Sequence, residues 1–276
     1  MKTINLIGSG RVGQTLGRLM AQTGAYKVQD VLTRSAASAR LAVDFIGSGR
    51  AVANMADLQS ADLWMLAVPD VQIAPVAAAL AQRQAAPPAA LVFHCSGALG
   101  SKELQPLQAI DWQVASAHCL LSFAKPESAL SQFAGTPCAL EGDAIAVNAL
   151  RPLFEQLGAQ CFELAATDKL AYHAGAVFAT NFLPVLQHLA EQLWQHSGMP
   201  PELALQLRTT LLTNAVNNII QLGPQGALTG PAARGDSTLV AAQGQVVEQW
   251  NTQAGAAYRA LSALAADLAA SRQSSS

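Results

Sequence analysis

The sequence has little charge. Asp, Glu, Lys and Arg make up 12% of its 276 residues, whereas they make up about a quarter of an ordinary soluble protein. The net charge at pH 7 is −2, and no block of like charges occurs along the chain. Proteins that bind nucleic acid carry a concentrated basic surface, so we expect no nucleic acid among the partners of this chain.

Long apolar runs are also missing. Residues 171–190 form the longest uncharged stretch with a helical pattern, but they include two His, Asn, Gln and Pro. A transmembrane helix needs about 20 predominantly apolar residues, so we interpret this stretch as a buried helix of a soluble protein. The apolar run near the N-terminus is too short for a signal peptide. We therefore predict a cytoplasmic protein with no membrane partner.

Cysteine is scarce, and its pattern excludes the common metal motifs. The four cysteines are Cys95, Cys119, Cys138 and Cys161, and they form no C-x-x-C pair. Histidine precedes two of them, as His94-Cys95 and His118-Cys119. Successive strand residues point to opposite faces, so at most one residue of each pair can face a common ion, and zinc needs more than two ligands. We predict reduced core thiols and no metal.

The apolar pattern divides the chain near residue 165. Before it, short apolar runs alternate with helical patterns, which indicates strands joined by crossover helices in a parallel sheet. The predicted strands are TINLI, VQDVLT, LWMLAV, ALVFHC, QVASAH, PCAL and CFEL. We predict an α/β doubly wound parallel sheet domain over residues 1–165.

After this point the strand patterns stop. Long helices are predicted over 168–196, 201–222 and 236–270, with Asp236 as an N-cap. We predict an all-α domain over residues 166–276. Three long helices with so little charge are hard to solvate on every side, so we expect a homodimer formed through this domain. The alternative for part of this apolar surface is packing against the first domain.

A glycine-rich stretch, GSGRVGQT (8–15), follows the first predicted strand. Gly8, Gly10 and Gly13 fit the G-x-G-x-x-G pattern of Rossmann folds, in which a pyrophosphate binds at a helix N-terminus. The stretch also nearly fits the triphosphate pattern G-x-x-x-x-G-K-[ST], but Gln14 stands where that pattern needs Lys. The strand before the loop and the helix after it favour a dinucleotide over a plain glycine turn.

The end of the second predicted strand, VQDVLTRS, indicates which dinucleotide binds. NAD-binding folds place Asp or Glu at the C-terminal end of this strand, where it bonds the ribose hydroxyls. Asp30 falls early in the strand, whereas Thr33, Arg34 and Ser35 occupy its end. A guanidinium flanked by hydroxyls suits a 2′-phosphate, so we predict NADP (NADPH) as the cofactor. The alternative for Arg34 is an ordinary exposed arginine.

Five further motifs resemble a known group of proteins. They are ADLWMLAVPD (61–70), HCSGALG (94–100), AHCLLSF (117–123), DKLAYHAGAVFATNF (168–182) and ALTGPAARGD (227–236). The first is similar to the fourth-strand region of the 6-phosphogluconate dehydrogenase and pyrroline-5-carboxylate reductase superfamily. Together they resemble bacterial Rossmann-like proteins whose C-terminal half is domain of unknown function 2520. That pattern has His-Pro-Leu where this chain has His118, Cys119 and Leu120, which leaves the role of His118 open.

The resemblance implies an NADP-type Rossmann domain, a helical dimerisation domain and an oxidoreductase that acts on a small molecule. The cofactor site it implies combines the glycine loop, the end of the second strand, the Val-Pro motif and a serine after the next strand. These residues are Gly8, Ser9, Gly10, Arg11, Val12, Gly13, Thr33, Arg34, Ser35, Ala67, Val68, Pro69 and Ser96.

Candidate catalytic residues lie at the start of the helix that follows the sheet. Related hydroxyacid dehydrogenases have a K-x-x-x-N motif here, and this chain has Lys169 and His173 at that spacing, with Asn181 two turns beyond. A partly desolvated Lys has a lowered pKa and can give a proton to a carbonyl or imine as hydride arrives. The alternative is a surface Lys followed by a core His.

Ser96 is a further candidate because it follows the C-terminal end of a strand, where ligands bind in open α/β sheets. Related dehydrogenases place a Ser-Gly segment against the substrate, and a loop hydroxyl that caps the helix near Lys102 is the alternative. The sequence thus supports two hypotheses. The first is an NADP(H)-dependent oxidoreductase for a small oxo, imino or hydroxy compound, and the second is a dimeric NADP-binding sensor or scaffold without turnover.

Overall fold

The computed structural model describes residues 1–24, 26–83 and 90–273. It divides into two compact units, Met1–Thr180 and Asn181–Ser276. The sequence pattern changes earlier, at residue 165, but the helix that begins at Lys169 packs into the first unit through the Lys169 side chain.

An eight-stranded sheet forms the centre of the first unit. Its strands are β1 (Lys2–Ile7), β2 (Tyr26–Leu32), β3 (Arg50–Val52), β4 (Leu63–Leu66), β5 (Leu91–His94), β6 (Gln113–Cys119), β7 (Pro137–Gly142) and β8 (Gln160–Glu163). The helices of this unit are α1 (Arg11–Thr23), α2 (Ala36–Ile46), α3 (Asp70–Ala81), α4 (Gln105–Gln108), α5 (Pro126–Gln132), α6 (Ala144–Gln156) and α7 (Lys169–Ala176).

The strand order is β3-β2-β1-β4-β5-β6-β7-β8, and its first six strands have the Rossmann order. This confirms the predicted Rossmann α/β domain. Two features differ from the prediction. Strand β3 was not predicted, because it has three residues and begins with an arginine. The sheet is mostly but not entirely parallel, since β7 runs antiparallel to β6; the short α5 does not return the chain to the opposite end of the sheet.

Apolar side chains cover both faces of the sheet. In β4, Leu63 and Met65 belong to the core cluster on one face, and Trp64 and Leu66 belong to the cluster on the other. Successive strand residues point to opposite faces, so a strand with helices on both sides is a continuous apolar run. The LWML run was recognisable as a buried strand for this reason.

The second unit is helical, which confirms the predicted helix-rich C-terminal region. Its helices are α8 (Phe182–His196), α9 (Pro201–Ala227), α10 (Ser237–Trp250) and α11 (Thr252–Gln273). As predicted, Asp236 caps α10, since its carboxylate accepts a 3.0 Å hydrogen bond from the Leu239 N–H.

Two predicted helices are broken. The predicted helix over 236–270 is divided at Asn251, whose side chain accepts a hydrogen bond from the Ala254 N–H at the start of α11. The predicted helix over 168–196 contains a π-helical turn, Val177–Asn181, between α7 and α8. A periodic apolar pattern continues through both interruptions, so it could not reveal them. Among the described residues, no helix has the length and apolar character needed to cross a membrane.

Candidate functional site

The glycine loop joins the end of β1 to α1. Gly8 has φ +82°, and a Cβ on it would lie 2.5 Å from the Ala67 carbonyl oxygen. A Cβ on Gly13 would lie 2.8 Å from the Gly8 carbonyl oxygen and 3.1 Å from the Ala67 Cβ. These two glycines are therefore required for the close packing of β1, α1 and the segment that follows β4.

Gly10 has a different environment. A Cβ on Gly10 would meet nothing within 4 Å, and Gly10 precedes α1 without a side-chain cap for the amides of the first turn. The Ser9 hydroxyl is buried without a hydrogen-bond partner among the described residues. Open backbone, uncapped amides and an unpartnered hydroxyl fit the pyrophosphate of a dinucleotide. Gln14 secures the loop instead of binding phosphate, because its amide donates to the Ser9 carbonyl oxygen at 2.9 Å.

The residues predicted to select the cofactor lie between β2 and α2. The Arg34 side chain is exposed, and none of the salt bridges among the described residues includes it. The Ser35 hydroxyl caps α2 by accepting from the Ser38 N–H at 3.1 Å, and the Thr33 hydroxyl donates to the Ser35 carbonyl oxygen. Arg34 therefore extends from a well-ordered turn at the C-terminal end of β2.

Asp30, the acidic residue of β2 that could bond a ribose, has its carboxylate occupied by hydrogen bonds within the protein. It is fully buried, and its carboxylate accepts hydrogen bonds from the Arg50 guanidinium at 2.8 and 3.2 Å and from the Gln59 N–H at 2.6 Å. These contacts fix the β2–β3 edge. The Asp30 carboxylate has partners that a ribose would have to displace.

The segment after β4 lies beside the glycine loop. Ala67 and the Val68 side chain pack against Gly8, and Pro69 precedes α3, which begins at Asp70. Asp70 carries its carboxylate toward the next strand, where one of its oxygens accepts a 2.9 Å hydrogen bond from the Ser96 hydroxyl. This contact joins the C-terminal ends of β4 and β5.

Ser96 organises the turn after β5. Its hydroxyl oxygen accepts hydrogen bonds from the Ala98 and Leu99 N–H groups at 3.2 and 3.0 Å while it donates to Asp70. Its backbone N–H donates to the Nδ1 of His94, whose Nε2 lies 3.0 Å from the Gly100 carbonyl oxygen. The hydroxyl therefore caps the turn before Gly100 and not the helix near Lys102, which begins after Gly100 without a side-chain cap. The Ser96 carbonyl oxygen is the atom that faces Lys169.

Lys169, the first residue of α7, enters the core of this unit. Its side chain is 1% exposed. The ammonium donates to the Ser116 hydroxyl at 2.9 Å and to the Ser96 carbonyl oxygen at 3.2 Å. Burial lowers the pKa of Lys169, and the negative charges of Glu141 and Asp70 oppose that change. The structure therefore brings Lys169 and Ser96 together, as the sequence predicts for an active site.

Glu141 belongs to this group of residues, and sequence reasoning missed it. It lies directly opposite Ser116 in the β6–β7 register and accepts a 3.0 Å hydrogen bond from the Ser116 hydroxyl. The Ser101 N–H and hydroxyl each donate to the same carboxylate at 2.7 Å. Sequence reasoning assumed a parallel sheet, so nothing indicated that a β7 carboxylate would face β6.

Two histidines pack against Gly97. A Cβ on Gly97 would lie 2.6 Å from His173 Nδ1 and 2.7 Å from His118 Nε2. The two imidazole rings are 5.7 Å apart between centroids, and His118 Nδ1 is 2.9 Å from the Tyr172 hydroxyl. Burial lowers the pKa of His118 to about 4. His118 keeps a defined position although Cys119 follows it, because β6 continues through Cys119 and pairs with Cys138.

His173 completes this group. Its Nδ1 is buried and has no hydrogen-bond partner among the described residues, so it is available to a ligand that enters beside Gly97. Asn181 lies in the second unit, and its role stays a prediction. The described residues contain no group of three or more His, Cys, Asp or Glu that could hold a metal ion.

Comparison with known proteins identifies two domain families along the chain. Residues 2–115 match the model of the Rossmann-like domain, and residues 136–265 match the model of the domain of unknown function DUF2520. The chain therefore combines these two domains, and the resemblance noted in the sequence is confirmed. No curated protein sequence matches it.

Several solved structures share the fold. A protein of Thermotoga maritima is 28% identical with a TM-score of 0.74, and the match covers 98% of this chain and 99% of that one. A Bacteroides fragilis protein provisionally named an NADP oxidoreductase is 19% identical with a TM-score of 0.77, over 96% and 98% of the two chains. Pyrroline carboxylate reductase of Plasmodium falciparum, solved with NADP bound, is 11% identical with a TM-score of 0.57, over 97% and 98%. The chain has the fold of Rossmann NAD(P)-dependent oxidoreductases.

Proposed function

We propose that this protein is an NADP(H)-dependent oxidoreductase that acts on a small oxo, imino or hydroxy compound. The observation that carries the proposal is the buried ammonium of Lys169, held by the Ser116 hydroxyl and the Ser96 carbonyl oxygen. Ser96 follows the C-terminal end of β5, and Ser116 pairs with His94, the last residue of that strand. Ligands of open α/β sheets bind at this edge. None of the salt bridges among the described residues includes Lys169, and buried ionisable groups of this kind cluster at functional sites.

Different residues would bind the cofactor and donate the proton. Gly10, Ser9 and the first turn of α1 would hold the pyrophosphate, and Arg34 would pair with the 2′-phosphate of NADP(H). The bound nicotinamide supplies or accepts the hydride. An ammonium has three N–H donors, and two of those of Lys169 bond Ser116 and Ser96. The third can donate to the oxygen or nitrogen of the substrate and give it a proton.

His173 would position the substrate rather than transfer the proton, and Ser96 would position Lys169 through its carbonyl oxygen. The free Nδ1 of His173 lies beside Gly97, next to the residue whose carbonyl oxygen holds Lys169. Two proteins that share the fold favour this reaction class, since the Bacteroides fragilis protein is named for NADP and the Plasmodium falciparum enzyme is a pyrroline carboxylate reductase with NADP bound. An imine or carbonyl is therefore our first choice of reacting group.

A second candidate function is a non-catalytic NADP-binding sensor or scaffold. The observation in its favour is the enclosure of Lys169, which is 1% exposed, because a proton donor must reach its substrate.

We further propose that the protein is a homodimer through the helical unit. Large apolar side chains are exposed on its helices, and these include Leu203, Leu205, Ile220, Val246 and Leu264. Large exposed apolar side chains in this number support an interface on these helices.

The test is a screen of small carbonyl, imine and hydroxy compounds that follows NADPH oxidation or NADP reduction. We expect turnover with at least one compound, and a loss of about 10²–10⁴-fold in kcat in the Lys169→Ala variant, the range of a general acid. Lys27→Ala, at the exposed start of β2, is the matched control. Turnover that survives Lys169→Ala would remove Lys169 from the mechanism. Tight NADPH binding with no turnover across the screen would favour the sensor.

A further inference from the structure

One hydroxyl group, that of Ser116, joins the Lys169 ammonium to the Glu141 carboxylate through two hydrogen bonds. Lys169 donates to the Ser116 hydroxyl at 2.9 Å, and that hydroxyl donates to Glu141 at 3.0 Å. The two bonds run in one direction, from ammonium to hydroxyl to carboxylate. They place the charges within the roughly 4–6 Å at which opposite charges shift each other's ionisation.

The Glu141 carboxylate is held in place by its other contacts. Ser101 donates to it twice, through its N–H and its hydroxyl, both at 2.7 Å. Ser116 gives the carboxylate a third donor. Since an ammonium can only donate, the Ser116 hydroxyl accepts from Lys169 and donates its own proton to Glu141.

We infer that Glu141 is a positioning residue of the active site, which acts through Ser116 to keep Lys169 protonated and ready to donate. This inference rests on the proposed function and deepens it. A Lys that carries its proton before the substrate binds suits the reduction of a carbonyl or imine, which need a proton, better than the oxidation of an alcohol or amine, which must lose one.

Other groups around Lys169 act in different directions. Asp70 on α3 supports the protonated form, as Glu141 does, and burial of the ammonium opposes it. His94 on β5 and His118 on β6 each have a pKa lowered by burial to about 4, so both are neutral near pH 7. Cys138 on β7 also supports the protonated form, and Tyr172 and His173 lie on α7 itself. Removal of Glu141 takes away the largest of the contributions that oppose burial.

The test is a direct titration of Lys169 in protein labelled with ¹³C at the lysine ε-carbon. NMR follows the Lys169 signal from neutral to alkaline pH, and Lys169→Arg assigns it. We expect the Glu141→Gln variant to titrate at a lower pH than the wild type, by about one pH unit or more, since an opposite charge at this distance shifts a pKa by 1–3 units. Glu127→Gln, at an exposed position of α5, should leave the signal unchanged.

Ser116→Ala is the second variant, because it removes the hydroxyl that joins the two charges while it keeps both of them. We expect it to lower the titration midpoint of Lys169 by less than Glu141→Gln does. A midpoint that is the same in Glu141→Gln, Ser116→Ala and the wild type would overturn the inference. If Glu141→Gln does not fold, Ser116→Ala alone decides. The readout needs neither cofactor nor substrate, so a shifted midpoint in a protein without turnover would reject the proposed function and keep the role of Glu141.

Discussion

Ser116 and Glu141 lie opposite each other on β6 and β7, and the Ser116 hydroxyl bridges the Lys169 ammonium and the Glu141 carboxylate. Both Ser116 and Lys169 are buried. Loss of the hydroxyl therefore leaves one donor of a buried ammonium and one acceptor of a carboxylate without their shared partner.

We predict that Ser116→Ala lowers the free energy of unfolding by about 1–3 kcal/mol, the range for leaving a buried polar group unsatisfied. Urea unfolding measures it. Ser131→Ala, on the exposed side of α5, is the matched control and should stay within about 0.5 kcal/mol of the wild type. Equal stability of the two variants would show that the bridge contributes nothing to the fold.

Gly97 is predicted to be required for the position of both histidines. In Gly97→Ala the new methyl would lie 2.6 Å from His173 Nδ1 and 2.7 Å from His118 Nε2, so both rings must move, at a cost of roughly 1–3 kcal/mol. We expect shifted imidazole signals in NMR spectra and reduced turnover.

Gly175→Ala is the control for Gly97→Ala. Gly175 lies in α7, and a Cβ there meets nothing within 4 Å, so this variant should gain up to about 1 kcal/mol from the better helix propensity of Ala. Unmoved His118 and His173 signals in Gly97→Ala would contradict the close packing described above.

Gly10 and Gly13 are predicted to respond differently to the same substitution. A Cβ on Gly10 meets no protein atom, whereas a Cβ on Gly13 lies 2.8 Å from the Gly8 carbonyl oxygen. Gly10→Ala should keep the stability of the wild type and lower NADPH affinity about tenfold or more, because the methyl fills the space that the pyrophosphate needs. Gly13→Ala should lower both the stability and the NADPH affinity. Calorimetric titration and thermal unfolding separate the two effects, and unchanged affinity in Gly10→Ala would place the phosphate elsewhere.

Stability is predicted to fall in acid because of His94. Burial lowers the pKa of His94 from 6.5 to about 4. Between pH 6.5 and about 4 the unfolded chain binds a proton at His94 that the folded chain does not, so the free energy of unfolding falls as the pH falls through this window. The loss attributable to His94 is roughly 3 kcal/mol at most, at 1.36 kcal/mol per pH unit. His118 contributes with the same sign.

Urea unfolding at several pH values between 7 and 4 measures this slope. His94→Gln should make the slope shallower, and His188→Gln, at an exposed position of α8, should not. If His94→Gln keeps the full slope, the acid sensitivity originates in other groups.

The sequence was sufficient for most of the fold because its signals are local. The apolar run of β4, the glycine loop and the capping residue Asp236 each predict their own structure from a few neighbouring residues. The break at Asn251 and the π-helical turn before Phe182 were missed, because an apolar stripe continues through both.

The candidate site was predicted in part for the same reason. Lys169 and Ser96 follow recognisable elements, so their meeting could be expected. The positions of Glu141 and Tyr172 in the site could not be predicted, since their contacts depend on the antiparallel pairing of β7 with β6 and on the direction in which α7 packs. These contacts join residues that are far apart in the sequence, so no local sequence pattern indicates them.

The most direct test of the account is a comparison of NADPH and NADH affinity in the wild type, Arg34→Ala and the control Lys27→Ala, by calorimetric titration. The wild type and Lys27→Ala should bind NADPH at least about tenfold more tightly than NADH, because a charge-assisted bidentate contact to the 2′-phosphate contributes 1.4 kcal/mol or more. Arg34→Ala should lose most of this preference while its NADH affinity stays the same. Equal affinity for the two dinucleotides, unchanged by Arg34→Ala, would contradict the assignment of NADP(H) to this site.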